Sequence, residues 1–231
     1  MINRLYPPHT STRYYSLTRL REAIERVIAS RLPPGVITLV DLGCGAMPYR
    51  PLFAPHVARY IGVDLIDNPQ ADLHMPADGR VPIADGAVDV VLSSQVLEHV
   101  TSPAAYLAEC RRILRPGGIL ILSTHGYWLY HPNPTDYWRW TGSGLARQLA
   151  LAGLEIQHHE GIMGLGAAAL QLLQDALTLP IPQRLPLRPP VGLVFQALVA
   201  LADACYSPAQ RASDACIYLM VARRPPAEVW L

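Results

Sequence analysis

The chain contains no lysine, so every one of its 19 Lys+Arg positions is an arginine. Arginine suits bidentate contacts with anions, but a uniform choice of arginine is also what genomic codon bias produces, and no function is assigned to it. An excess of charge is missing too: 18 acidic residues nearly balance the basic ones, leaving a formal charge of +1. A broad nucleic-acid footprint needs a strongly basic face, so no nucleic-acid partner is expected. Cysteine is sparse. Its four positions, 44, 110, 205 and 216, include no C-x-x-C pair, which argues against a zinc site or a disulfide framework. Long apolar runs are also lacking. The longest near the C-terminus, residues 193–206, is interrupted by Gln196 and Asp203 and falls short of the ~20 residues that cross a bilayer. Residues 1–8 lack the apolar core of a signal peptide. The expectation is a reduced, soluble, cytoplasmic enzyme, with contact at the inner membrane face left open.

What remains is ample for one domain: 231 residues, 51% hydrophobic and 16% charged, a folded rather than a disordered balance. Leu17, Leu20, Ile24, Val27 and Ile28 form a helical stripe, ended by Pro33-Pro34-Gly35. Apolar strands then alternate with helices: strands at 37–42, 60–65, 88–94, 119–123, 154–158 and 217–222, and helices at 103–114 and 142–152. Ser102 or Thr101 caps the first of these helices and Pro103 opens it. This rhythm implies an α/β fold, a doubly wound, mostly parallel sheet with helices on both faces. It lapses at 161–213, where two apolar helices, 165–179 and 193–205, flank a proline-rich link. The organisation expected is a single domain. It comprises an N-terminal helical cap (1–35), a cofactor-binding core (36–160), an apolar helical insert (161–213), and a final strand and tail (214–231).

The first strand ends in Val40-Asp41-Leu42-Gly43-Cys44-Gly45. Glycines at this spacing permit a sharp turn and close approach of a ligand to the backbone. Asp64 closes the second strand, where doubly wound folds hold ribose hydroxyls. A nicotinamide fingerprint needs a third small residue where this chain has Pro48. Proline offers no N–H to a phosphate, so a nucleoside without phosphates fits better.

The ordered segments VDLGCG, GVDL, VPIADGAVDVVLSSQVLEHV, LRPGGILILSTHG and AGLEI resemble the class I S-adenosylmethionine-dependent methyltransferases, in particular the bacterial type-11 group. The resemblance covers roughly residues 39–156. It implies a Rossmann-like seven-stranded sheet whose last strand is antiparallel and inserted beside the fifth. It also implies S-adenosylmethionine as cofactor and S-adenosylhomocysteine as product. By the same resemblance, Asp41, Gly43 and Gly45 would cradle the methionine moiety, and Asp64, with Leu65 beside it, the ribose. Asp78 with Gly79 would flank the adenine, a role for which Asp72 competes, and Gln95 would lie by the methionine part.

The acceptor is read from residues 124–141, T-H-G-Y-W-L-Y-H-P-N-P-T-D-Y-W-R-W-T, which follow the fifth strand at the sheet's ligand-binding edge. Six aromatics among eighteen residues suit a ring or sugar-like acceptor. Its H-P-x-P-x-D-Y-W-R-W-T pattern resembles methyltransferases associated with polysaccharide and glycolipid assembly. His125 or His131 is expected as the general base, with His99 a further candidate. Tyr130, Asp136, Tyr137 and Arg139 are expected to place the acceptor, although Asp136 and Arg139 can equally pair and pin the loop. No metal is expected, since His158 and His159 on one strand face opposite sides. The reading is O-methylation of a sugar or glycolipid-type hydroxyl. The alternatives are a small-molecule methyltransferase of natural-product or quinone metabolism, and an inactive cofactor-binding interaction protein. The N/D-P-P-Y/F signature of amino-directed base methylation is replaced by Ser94-Gln95-Val96-Leu97. The insert at 161–213 is read as plain cover for the sheet, a lid, a membrane contact or a homodimer face.

Overall fold

The structure, a computed structural model, describes residues 3–76, 79–132, 134–182, 185 and 188–226. Helix α1 (Tyr14–Arg31) leads into β1 (Thr38–Leu42), the short α2 (Arg50–Phe53), β2 (Arg59–Leu65) and β3 (Leu73–Met75). Next come β4 (Val88–Ser94), α3 (Pro103–Ile113), β5 (Leu114–His125), α4 (Gly142–Leu151) and β6 (Glu155–Gly164). The chain then forms α5 (Leu165–Thr178), α6 (Arg188–Ala204), α7 (Pro208–Ser213) and β7 (Ala215–Arg223). The strands make one sheet in the order β3-β2-β1-β4-β5-β7-β6. β7 runs antiparallel between β5 and β6, and the other pairings are parallel. This is the expected Rossmann-like sheet, including the inserted last strand.

The strands read as apolar runs because both of their faces are covered. On one face, Leu39, Val90, Ile121 and Leu219 pack with Leu20, Ile24 and Val27 of α1. On the other, Val40, Val91, Leu120, Leu122 and Met220 pack with Leu107, Cys110 and Ile113 of α3 and Leu145 and Leu149 of α4. Sequence-based bounds differ at several places. β5 begins directly at the end of α3, and β6 extends to Gly164 with a bulge between Ile156 and His158. α6 starts five residues earlier than the apolar pattern suggested, with Pro189 and Pro190 in its first turn, where proline's missing N–H has no partner to lose. The three-residue β3 and the short α2 and α7 were not foreseen; too few residues repeat in each for a period to register. α7 is fixed by a capping box between Ser207 and Gln210.

The insert has inverted polarity. All exposed residues of α5 and α6 are apolar, among them Leu165, Leu172, Leu173, Leu177, Leu198 and Leu201. The buried side is polar. Gln171, Gln174 and Gln196 all donate to the Thr12 carbonyl at 2.9–3.1 Å. Asp175 pairs with Arg13 at 2.6 Å, and Asp203 accepts from the Tyr15 hydroxyl at 2.9 Å. No helix of the described residues is long and apolar enough to cross a membrane.

Candidate functional site

The carboxyl ends of β1, β2, β4 and β5 open into a cleft of about 1770 Å³. On its donor side β1 turns at Gly43 and Gly45, both with positive φ (76° and 50°). A Cβ on Gly43 would sit 2.5 Å from the Val96 side chain, so the turn is closed there. A Cβ on Gly45 would meet nothing within 4 Å, leaving its backbone bare to the cleft. The Gly45 N–H donates to Asp64 Oδ2 at 2.7 Å, and Asn68 ties both the same oxygen and the Gly45 carbonyl at 2.8 Å. The Leu65 N–H donates to Asp64 Oδ1 at 2.8 Å. Asp64 therefore joins the two loops while lining the cleft, with a lone pair still free on Oδ1.

Asp41 is 3% exposed and accepts the Tyr60 hydroxyl at 2.6 Å. Burial pushes its carboxyl up to about 7, against the lowering effect of that hydrogen bond. Gln95 holds a positive φ of 60°, a strained conformation for a residue with a side chain. Its amide nitrogen donates to Ser123 Oγ, and its buried Oε1 has no partner. A bare glycine backbone, a carboxylate at a strand end and an orphaned amide oxygen together fit a nucleoside-linked amino acid, whose ammonium and ribose hydroxyls supply the missing donors. Gly79 and Leu65 also line the cleft. Asp78 lies outside the described residues. Asp72, its rival, accepts the Gly62 N–H at 2.7 Å and is spent on holding β2.

The acceptor side gathers His99, His125 and His131, all lining the cleft, around a residue that the sequence reading had passed over. Glu98 is fully buried. Its Oε2 accepts the Thr124 hydroxyl at 2.9 Å, and its Oε1 has no hydrogen bond, though His125 Nε2 lies 3.3 Å away. Burial pushes its carboxyl up. His99 sits in the turn before α3 and donates from Nδ1 to the Thr135 carbonyl at 2.6 Å. His125 stacks on Trp128 at 4.6 Å, and burial holds its imidazole well below the usual histidine range. His131 is lowered by burial against the opposing pull of Asp136.

Tyr130, Asp136, Tyr137 and Arg139 do not line this cleft. Tyr130 is 67% exposed and Tyr137 52%. Asp136 and Arg139 form a bidentate pair with both contacts at 2.6 Å, and Arg139 also donates to the carbonyls of Trp128, Leu129 and Trp138. Burial would raise the Asp136 carboxyl, but the guanidinium and the His131 N–H outweigh it and hold it well below the usual carboxylate range. Asp136 and Arg139 thus take the loop-brace arrangement that the sequence left open beside acceptor contact. The brace's other anchor is Glu98, whose carbonyl takes the N–H groups of Tyr137 and Trp138. Arg13, Leu17 and Tyr49 line the cleft as well; no motif marked them, because only the fold brings the start of α1 and the turn before α2 to the sheet's edge. Trp128 lies between the cleft and a smaller cavity of about 280 Å³ that reaches Leu172 of α5.

Residues 40–122 match the family model described as a methyltransferase domain. A protein of Mycolicibacterium smegmatis named a probable S-adenosylmethionine-dependent methyltransferase is 30% identical over 57% of this chain and 58% of its own. A ubiquinone biosynthesis O-methyltransferase of Cereibacter sphaeroides is 33% identical over 48% of this chain and 50% of its own. The chain spans about half the length of these curated relatives. Among solved structures, the [4+2]-cyclase SpnF superposes with a TM-score of 0.59 at 20% identity, over 90% of this chain and 82% of that one. That likeness concerns the fold alone, since one fold hosts many chemistries. Over residues 40–122 the chain is thus similar to the class I S-adenosylmethionine-dependent methyltransferases of the type-11 group.

Proposed function

We propose that this protein methylates a hydroxyl of a sugar or glycolipid-type acceptor, with S-adenosylmethionine as donor. Bound S-adenosylmethionine supplies an electrophilic methyl group and leaves as S-adenosylhomocysteine. The bare backbone at Gly45 and the free Gln95 amide oxygen would receive its amino-acid end, and Asp64 its ribose. The chain's remaining work is to hold the acceptor oxygen in line, exclude water and take the hydroxyl proton. His125 and His131 are the proton acceptors on offer. Burial keeps each imidazole neutral near pH 7.

One observation carries the lipid-linked reading. The acceptor end of the cleft stops at Trp128, and behind Trp128 lies the cavity reaching Leu172 on the outward apolar face of α5 and α6. An acceptor with a polar head and an apolar tail could lie across that boundary, and the hairpin would rest on the membrane surface that holds it. The relatives named for ubiquinone biosynthesis favour a second reading, a lipophilic quinone precursor.

The test is methyl-labelled donor, purified protein and an extract of its source cells. Label should enter the organic phase, and mild acid hydrolysis should release a methylated sugar. Label on an acid-stable, ultraviolet-absorbing lipid would establish the quinone reading instead, and label confined to water would reject both lipid readings. His125→Ala or His131→Ala should lower turnover by at least ~10²-fold while S-adenosylhomocysteine affinity is kept. Full turnover in both variants would refute the base assignment.

A further inference from the structure

Glu98, His99 and His131 each bring a possible ligand atom to within 4.8 Å of the other two. Their protonation follows from their partners. His99 Nδ1 faces the Thr135 carbonyl, which can only accept, so Nδ1 carries the proton and Nε2 of the neutral ring is a bare lone pair. His131 Nδ1 lies 3.1 Å from Asp136 Oδ2 and 3.4 Å from the Leu129 carbonyl, again acceptors only, which leaves its Nε2 bare as well. The third member is Glu98 Oε1, in a fully buried side chain and without a hydrogen bond. Three acceptors therefore stand together beside the cleft, and the one ring nitrogen near them, His125 Nε2 at 3.3 Å from Glu98 Oε1, makes no hydrogen bond to it. The buried Glu98 Oε1 is costly without a partner, and what would satisfy all three acceptors at once is a cation.

We infer that Glu98 Oε1, His99 Nε2 and His131 Nε2 form a binding site for a divalent transition-metal ion of the zinc, manganese or iron(II) class. Two imidazoles and one carboxylate, with a position open to the cleft, are the donor set of such catalytic sites. The surroundings agree: each histidine donates its other ring N–H to a carbonyl or a carboxylate, the arrangement that fixes the tautomer of metal-ligating histidines. Asp136 is itself held by Arg139, so the D-Y-W-R part of the acceptor loop supports the ligand His131. On a tetrahedral ion with bonds of ~2.1 Å the ligand atoms stand roughly 3.4 Å apart; the site closes onto the ion by about an ångström. This replaces the expectation of no metal, which had weighed the cysteine spacing and the pair His158 and His159.

The assignment rests on the hydroxyl-methylation reading for its purpose. An ion held there would lower the pKa of an acceptor hydroxyl bound at the open position, as it does that of bound water. The proton then needs only a weak base, and His125, beside the site and not among its three ligands, is one.

The experiment titrates cobalt(II) into chelator-treated protein and follows both the visible d–d absorbance and the heat. One equivalent should bind with a band of tetrahedral or five-coordinate intensity. His99→Gln, His131→Gln and Glu98→Gln should each weaken binding at least tenfold and change the band. Asp136→Asn should weaken it about 10–100-fold through His131, while His158→Gln leaves it unchanged. Each variant's melting curve confirms folding, and Asp136→Asn keeps all three ligands should a ligand variant fail to fold. No cobalt band, or a band indifferent to these substitutions, overturns the site. If cobalt binds as described but the label never reaches a hydroxyl, the methylation reading fails and the cation site stands.

Discussion

Asp41 stands at the floor of the cleft with its carboxyl out of water and one short hydrogen bond from Tyr60. In the unfolded chain an aspartate ionises near 3.8, whereas burial raises the folded value to about 7. Between those values the folded state binds more protons than the unfolded one, so acidification stabilises it and stability falls as pH rises. At 1.36 kcal/mol per unit the penalty reaches about 4 kcal/mol above pH 7. Asp41→Asn cannot ionise and should lose that part of the slope. Urea denaturation of both proteins at pH 5 and pH 7.5 measures it: the stability difference between variant and parent should shift in the variant's favour at the higher pH. An unchanged difference would mean that Asp41 is already ionised below pH 5. Its neighbour Asp64 raises the folded value further.

At the scale of the element, the loop after β5 is a braced arch rather than a flexible lid. Arg139 closes it with the bidentate Asp136 pair and three carbonyl contacts, and the Glu98 carbonyl fastens its far side. Arg139→Ala strips a buried carboxylate of its guanidinium, leaving it only His131 as partner, and takes the guanidinium donors from those carbonyls. It should destabilise the fold by about 1–3 kcal/mol and leave S-adenosylhomocysteine affinity intact. Calorimetric melting with a ligand titration checks both. An unaltered melting temperature with a raised acceptor KM would return Arg139 to direct acceptor contact.

Elements of this kind differ in how far the sequence discloses them. The turn at Gly43 and Gly45 and the apolar strands β1, β4 and β5 are legible because their causes are local: a left-handed backbone and burial on both faces. β3 is three residues long, and the clustering of Glu98 with His99, His125 and His131 depends on how a turn and an arch meet in space. The spacing of Asp136 and Arg139 showed that they could pair, but not that pairing would withdraw them from the cleft.

For the molecule as a whole, the polarity of α5 and α6 is the feature least accessible to a pattern. A leucine-rich helix with a few glutamines and aspartates ordinarily turns the leucines inward. Here the N-terminal segment supplies the Thr12 carbonyl, Arg13 and Tyr15, some 160 to 190 positions away along the chain, and these draw Gln171, Gln174, Asp175, Gln196 and Asp203 inward. The leucines are left outside, and contiguous exposed apolar surface of this kind marks a partner or a membrane. The face itself carries no exposed charge on either helix, so its attachment to lipid should be apolar in character and resist salt, unlike that of a polybasic patch. The protein should co-sediment with vesicles of neutral and anionic lipid at both 0.1 and 1 M salt. Leu173→Gln combined with Leu201→Gln should release it while leaving the melting temperature and S-adenosylhomocysteine affinity unchanged, because both side chains point away from the core. If the protein stays in the supernatant and sediments as a dimer that the same double variant dissociates, the face joins two copies of the chain and the membrane reading is wrong. Wetting of this face by lipid would also carry the acceptor's tail past Leu172 to Trp128, so the released variant should methylate detergent-dispersed acceptor normally and vesicle-embedded acceptor poorly.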